Sequence, residues 1–290
     1  MDKSPNNILE QIRNRLENLS PKQRQLAEFI LENYKKAAFM TSTVLGKTAK
    51  VSETTVIRLA DSLGCSGFPE FQSLLQSIIH HELTSIERFS NPDQSTGNAA
   101  YSKVFSAEAE NIIRVLASLS NEQISRAVEL LYSKKRVLVI GHQASACLAS
   151  YAGYSLSKVR DGVITMNQWD ENTFGTVRDM GPDDVAWVHA FPRYPNQTIR
   201  IAQFLQSRNV PIILITNGIL SPFSEMATIV LPVRIRYDAF VDGLAPVMCL
   251  INSLVLETAL KNQDNTVKHL EEFENFVAQT QIFLNDSQKK

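Results

Sequence analysis

Apolar residues recur at steps of three and four through the first part of the chain; after about residue 100 the pattern breaks into short apolar runs separated by helical periods. The first helix is expected from Ile8 to Leu19. A second opens at Ser20-Pro21-Lys22-Gln23, where Ser20 caps, Pro21 suits the first helical position and Gln23 completes a capping box. Its Leu26, Phe29, Ile30 and Leu31 face a core. A short helix over Thr43 to Ala49 follows, with Val44, Leu45 and Thr48 turned inward. Ser52 then caps a helix whose Val56, Leu59, Ala60 and Leu63 form one apolar face. Gly64 and Gly67 stop it, and Pro69 opens a further helix carrying Phe71, Leu74, Leu75 and Ile78.

Ser90 to Asn98, SNPDQSTGN, holds no apolar residue and is rich in turn formers, so it reads as a linker. Beyond it, helices are expected over Tyr101 to Leu119 and Ser120 to Ser133, the latter with Ile124, Ala127, Val128 and Leu131 on one side. Short β-branched runs then alternate with helical patterns: Val137 to Ile140, Val163 to Met166, Val185 to Ala190, Ile212 to Thr216 and Thr228 to Pro232. The chain closes with helices from Asp242 to Lys261 and from about Asp264 to Leu284. Such alternation implies a parallel sheet with any ligand beyond the carboxyl ends of its strands. The expected fold is an all-α helix-turn-helix domain over 1–89, a linker over 90–100, and an α/β domain over 101–290 with a parallel five-stranded sheet flanked by helices.

The helix after Ser52 leaves Thr54, Thr55 and Arg58 off its apolar face, and together with the preceding short helix it forms a unit that fits a DNA groove. Candidate DNA contacts are Lys47, Lys50, Ser52, Glu53, Thr54, Thr55 and Arg58. Glu53 is either a dipole partner in the first turn or an acceptor for a cytosine amino group. The chain's net charge of -1 looks wrong for this role until it is resolved locally. Ser20 to Ala60 holds seven basic residues (Lys22, Arg24, Lys35, Lys36, Lys47, Lys50, Arg58) against three acidic (Glu28, Glu32, Glu53), a balance of +4. Because phosphate neutralisation supplies most non-specific affinity, one such module is weak and two copies are needed.

In the second half, Val137-Leu138-Val139-Ile140-Gly141-His142-Gln143-Ala144-Ser145 delivers a strand into a loop and a helix starting near Ala144. The N-H groups of that helix start and the Ser145 hydroxyl suit an anion, while a plain turn with a capping serine is the alternative. GHQASA lacks the second and third glycines of a dinucleotide fingerprint. His189-Ala190-Phe191-Pro192-Arg193-Tyr194-Pro195-Asn196-Gln197-Thr198 ends another strand on the same sheet edge. Arg193 is either a bidentate phosphate partner or a surface ion pair, Thr198 offers a hydroxyl, and His189 is either a core histidine or a contact. The candidate ligand set is Gly141, His142, Gln143, Ser145, His189, Arg193, Tyr194 and Thr198. Ser221 and Asp242 read first as helix caps.

Other chemistry is not suggested. His80 and His81 point to different helix faces, and Cys65, Cys147 and Cys249 lack CxxC spacing and read as small core residues, so no metal and no cofactor is expected. No run approaches a membrane helix and the start lacks the apolar stretch of a signal peptide, which makes the cytoplasm the default location.

These segments together resemble the RpiR family of bacterial transcription regulators, in which a helix-turn-helix domain precedes a sugar isomerase (SIS) domain. VSETTVIRLADSLGCSGFPEFQ is similar to the family's first-domain run, IGHQAS to its GxGxS, FPRYPNQT to the FPRY-x-x-x-T form of one subgroup, and TNGILSPFSEMA to TDS-x-LSPLAxxA. The resemblance implies that Ser145 and Thr198 match phosphosugar-contacting hydroxyls and that Thr54, Thr55 and Arg58 lie on the recognition helix. It implies a homodimeric or homotetrameric, non-enzymatic regulator of double-stranded DNA that answers to a phosphorylated sugar or related acid. Lys50 stands where the family has a turn glycine, Gly46 where it has a small alanine, Gln143 where it has the second glycine of GxGxS, and His189 where it often has serine. The competing reading is an aldose-ketose phosphosugar isomerase drawing on Glu171, Glu225, Glu257 or His189 for proton transfer.

Overall fold

A computed structural model describes residues 8–72, 74–75, 86, 89, 100–218, 221–238 and 240–283. The chain divides into two compact units, Met1–Asn91 and Pro92–Lys290. The expected linker, except Ala100, lies outside the described residues, as do Ile78, His80, His81 and Leu284.

The first unit is helical: α1 (Ile8–Arg15), α2 (Pro21–Ala37), α3 (Ser42–Thr48) and α4 (Glu53–Ser62), followed by helical residues Phe68–Gln72, Leu74 and Leu75. The first helix stops at Arg15, short of Leu19, and tightens into a 3-10 turn over Leu16–Asn18. Arg24 accounts for the change, since its guanidinium donates to the carbonyls of Leu16 (3.0 Å) and Glu17 (3.1 Å). The capping box at Ser20 and Gln23 forms, with Pro21 in the first turn. Leu26, Ala27, Ile30, Leu45, Ala49, Val56, Leu59, Ala60 and Leu63 make one core.

The supporting helix is rotated from its expected setting. Leu45, Gly46 and Ala49 face inward, whereas Val44 and Thr48 are exposed and the Thr48 hydroxyl donates to the Val44 carbonyl at 2.8 Å. The inward position of Gly46 explains this. A Cβ there would sit 3.1 Å from the Val51 carbonyl oxygen and 3.3 Å from the Glu53 nitrogen, so the turn packs directly against the helix backbone. Lys50 occupies that turn with φ +56°, a left-handed conformation that costs an L-residue about 1 kcal/mol. Lys50→Gly is therefore expected to raise the stability of this unit by up to about 1 kcal/mol, read from its urea midpoint.

The second unit opens with α5 (Ala100–Ser118) and α6 (Asn121–Ser133) and continues as β1 (Val137–Ile140), α7 (Ala146–Ser157), β2 (Val163–Met166), α8 (Glu171–Arg178), β3 (Val185–Ala190), α9 (Asn196–Ser207), β4 (Ile212–Thr216) and β5 (Ile229–Pro232). These five strands form one parallel sheet in the order β2-β1-β3-β4-β5, with Ile140 opposite Met166 on one side and Val188 on the other. Strand alternation divides the core. Val137, Val139, Val185 and Trp187 pack with residues of α6, α7 and the later helix over 245–260, while Leu138, Ile140, Ala186, Val188 and Ala190 pack with Ile201, Ala202 and Leu205 of α9.

Two segments differ from expectation. A two-stranded antiparallel hairpin, β6 (Arg236–Asp238) and β7 (Val241–Gly243), follows the sheet, and Asp242 lies in it opposite Tyr237. Asp242 is therefore no helix cap: α10 (Ala245–Leu260) starts after Leu244 with Pro246 in its first turn, and α11 (Gln263–Thr280) follows. Ser221 is buried and accepts the Phe223 N-H at 3.3 Å, closing a local turn ahead of the 3-10 turn Ser224–Met226. Cys65 is buried as expected, but Cys147 and Cys249 are exposed, because α7 and α10 turn Leu148, Ala149, Leu250 and Ile251 inward instead.

Candidate functional site

On the first unit, Ser52 takes the N-cap of α4 by accepting the Thr55 N-H at 3.2 Å, and its hydroxyl lies 2.9 Å from Thr55 Oγ1. Glu53 has partners within the unit. Its Oε1 accepts from Ser42 Oγ (2.5 Å) and Thr43 Oγ1 (3.0 Å), and these bonds hold its carboxyl below the usual carboxylate range. Glu53 thus ties the first turn of α3 to the first turn of α4 through one of its two carboxylate oxygens. Lys47, Lys50, Thr54 and Arg58 are exposed, and Thr55 is partly covered. Periodicity did not single out Ile57, which is exposed beside Arg58 on the same helix.

On the second unit, β1 runs into Gly141 and His142, then into a 3-10 turn over Gln143–Ser145 before α7 begins at Ala146 rather than near Ala144. Gln143 makes this turn with φ +55°, so the position keeps the conformation of the missing glycine and carries a side chain in it. Gly141 has no such latitude. A Cβ there would overlap the Ser145 carbonyl oxygen and meet Ala149 Cβ at 3.0 Å. Ser145 is buried and makes no side-chain cap to α7.

His142 Nδ1 lies 2.9 Å from Thr198 Oγ1, and both groups are buried. This bond joins the loop after β1 to the first turn of α9, whose N-cap position is Pro195 and lacks a side-chain cap. His142 Nε2 is buried without a hydrogen-bond partner among the described residues, and desolvation lowers the imidazole's pKa. Two helix starts without side-chain caps, α7 and α9, therefore stand on adjacent strand ends, bridged by one imidazole-hydroxyl contact.

The remaining candidates do not all join them. His189 shares the Trp187 face of β3, with ring centroids 5.2 Å apart, and so lies on the opposite side of the sheet from His142 and Thr198. It is 1% exposed, neither nitrogen has a partner among the described residues, and burial pushes its pKa down to about 3. Arg193 is exposed on a left-handed turn with φ +64°. Tyr194 turns inward: its hydroxyl is 3.5 Å from Thr216 Oγ1, its ring meets Phe223 edge-on at 5.5 Å, and burial raises its pKa. The link from His142 to Thr198 was not legible in the sequence, since the two residues lie 56 apart.

A helix-turn-helix head followed by an α/β domain with polar strand ends is the arrangement of a DNA-binding unit joined to a candidate ligand-binding unit. Residues 6–82 match the helix-turn-helix domain of the rpiR family and residues 130–260 match the SIS domain. The chain belongs to the RpiR family of transcriptional regulators. It is 26% identical over 232 residues to the HTH-type transcriptional regulator HexR of Escherichia coli, covering 80% of this chain and 79% of that one. With HexR of Pseudomonas aeruginosa it shares 28% over 237 residues, covering 80% of each. Among solved structures, the Vibrio vulnificus NanR protein complexed with ManNAc-6P has the same fold at TM-score 0.58 and 20% identity, covering 96% of this chain and all of that one. The sugar isomerase domain of an RpiR transcription factor from Sphaerobacter thermophilus gives TM-score 0.57 at 23% identity over 60% of this chain and 97% of that one. No helix among the described residues is long and apolar enough to cross a membrane.

Proposed function

We propose that this regulator is controlled by a small anionic metabolite, a phosphorylated sugar or related acid, held at the carboxyl ends of β1 and β3, and that it acts in the cytoplasm as a homodimer or homotetramer on double-stranded operator DNA. The observation that carries the reading is the His142–Thr198 bond, which joins two uncapped helix starts at adjacent strand ends, α7 from one face of the sheet and α9 from the other, so that an anion in the crevice between them would gain from both. Gly141, Gln143 and Ser145 supply the backbone of one start, Thr198 the hydroxyl of the other, and Arg193 a cation at the rim. The NanR protein of the same fold was solved with a sugar phosphate, ManNAc-6P, which supports the ligand class.

His189 is assigned a core role. The imidazole is 1% exposed and packs against Trp187, which keeps a substrate from its nitrogens, and burial keeps it neutral at physiological pH. Glu225 and Glu257 are exposed, and Glu257 lies on the mid-to-late part of α10. These three positions support sensing over isomerisation; the side chain of Glu171 lies outside the described residues.

On the DNA side, Thr54 and Arg58 are assigned to base edges, Ile57 to a thymine methyl, and Lys47 and Lys50 to phosphates, with Ser52, Glu53 and Thr55 holding the helix start. Arg58→Ala is expected to cost about 1–3 kcal/mol of operator affinity and to relax sequence preference, whereas Lys47→Ala weakens binding to every sequence and lowers the salt slope by about one per head. Fluorescence anisotropy titrations over a range of salt distinguish these outcomes.

The reading as a whole is tested by binding the full chain to DNA from upstream of its own and neighbouring genes, with and without a panel of sugar phosphates and phosphorylated sugar acids. One metabolite should shift operator affinity by about 1–3 kcal/mol. Specific DNA binding that no panel member moves would remove the effector assignment, and turnover of a sugar phosphate without DNA binding would replace the whole reading with the isomerase.

A further inference from the structure

α5 carries two apolar faces, and the second unit uses only one of them. Asn111 and Val115 are buried, and Asn111 donates to the Arg234 carbonyl at 2.8 Å. On the other side Tyr101, Phe105, Ile113 and Leu116 are 74%, 76%, 68% and 72% exposed. At about 100° per residue these four, with exposed Ala109 between them, fall within roughly 120° of arc along the whole helix. The exposed ion pair Arg114–Glu110, at 2.8 Å, lies away from this stripe.

We infer that this stripe is where a second copy of the chain docks, α5 against α5 in antiparallel sense with Ala109 at the crossing. The pattern is self-complementary about that residue. With Ala109 facing Ala109, Phe105 opposes Ile113 of the second copy and Tyr101 falls within one residue of its Leu116, so each aromatic side chain meets an aliphatic one at both ends. Parallel pairing would stack aromatics at one end and aliphatics at the other, splaying the helices. It would also align the two helix dipoles unfavourably. Four large side chains exposed to this degree present roughly 500 Å² per chain, taking about 150–250 Å² for an aromatic. Two copies reach about 1,000 Å², the size at which a specific interface begins. The small side chain of Ala109 permits close approach where the helices cross.

This inference rests on the homo-oligomer proposed above and names the surface that makes it. It is tested on the full chain with Cys147 and Cys249 replaced by serine, measuring mass by light scattering and helix content by circular dichroism. Phe105→Glu with Leu116→Glu changes only exposed positions, and should halve the particle mass while leaving helix content unchanged. Ala109→Cys should form an intermolecular disulfide on mild oxidation. Tyr101→Cys should not, because an antiparallel pair holds the two copies of residue 101 about 24 Å apart. Unchanged mass in the double variant, or no disulfide at 109, overturns the α5 interface while the oligomer stands; disulfides at both 101 and 109 overturn the antiparallel arrangement. A parent protein that is monomeric at every concentration overturns both readings.

Discussion

Gly141→Ala is expected to abolish the response to effector while leaving operator binding intact. The added methyl would overlap the Ser145 carbonyl oxygen and sit 3.0 Å from both the Ser145 carbonyl carbon and Ala149 Cβ, contacts that force the loop away from α7. Backbone cannot yield as a flexible side chain does, so Gln143–Ser145 must move and the His142–Thr198 bond must stretch or break. Overpacking of this kind costs about 1–3 kcal/mol, felt in the second unit's core. The helix-turn-helix has its own core, from Ile8 to Leu75, and keeps its DNA surface. Calorimetric titration with the identified metabolite should therefore show no binding, while anisotropy with operator DNA is unchanged. Wild-type effector affinity in this variant would remove the loop from the site.

Asp184→Ala should produce the largest loss of stability. The residue is 3% exposed, and its carboxylate receives Arg136 Nε at 2.9 Å on one oxygen and Arg136 Nη2 at 2.7 Å on the other, with the Gly181 N-H adding a bond at 2.9 Å. The same arginine donates to the Asp179 carbonyl at 2.7 Å, so one fork fastens the start of β1 to the loop before β3. Removing one member of a fully buried pair costs about 3–5 kcal/mol; because Arg136 is about a third exposed and keeps some water, a smaller loss of about 2–3 kcal/mol is expected. The Arg136 hydrogen bonds hold the Asp184 pKa below its ordinary value. A depressed carboxylate contributes stability that is fully present above the unfolded pKa of about 4 and lost as pH falls through the folded value. Urea unfolding at pH 7 should separate parent from variant by the full amount, and the gap should close as the pH is lowered below 4. A gap that persists unchanged to low pH would mean that packing, not the ion pair, carries the effect.

Where the chain makes its elements was largely legible without coordinates. The strands Val137–Ile140, Val163–Met166, Val185–Ala190 and Ile212–Thr216 fall where apolar β-branched runs place them, and Ser20 and Ser52 cap the helices expected of them. These features depend on neighbours within a few residues, where propensity, capping and periodicity act directly. The hairpin of β6 and β7 escaped because three-residue strands carry no readable alternation, and Asp242 looked like a cap for the same reason.

The sites depend on longer range. The sequence by itself determined the order of the two domains, the helix that Ser52 caps and the polar loops at the strand ends, since each is written in local spacing. Only the tertiary structure decided that α3 turns Gly46 rather than Val44 inward, that Ser42 and Thr43 engage Glu53, and that His142 reaches Thr198 while His189 falls on the opposite face of the sheet. Each of those outcomes is set by which backbone or side chain a residue meets across a packed interface. For Thr43 and Glu53 that partner lies 10 residues away along the chain, and for His142 and Thr198 it lies 56 away, well beyond the reach of local propensity.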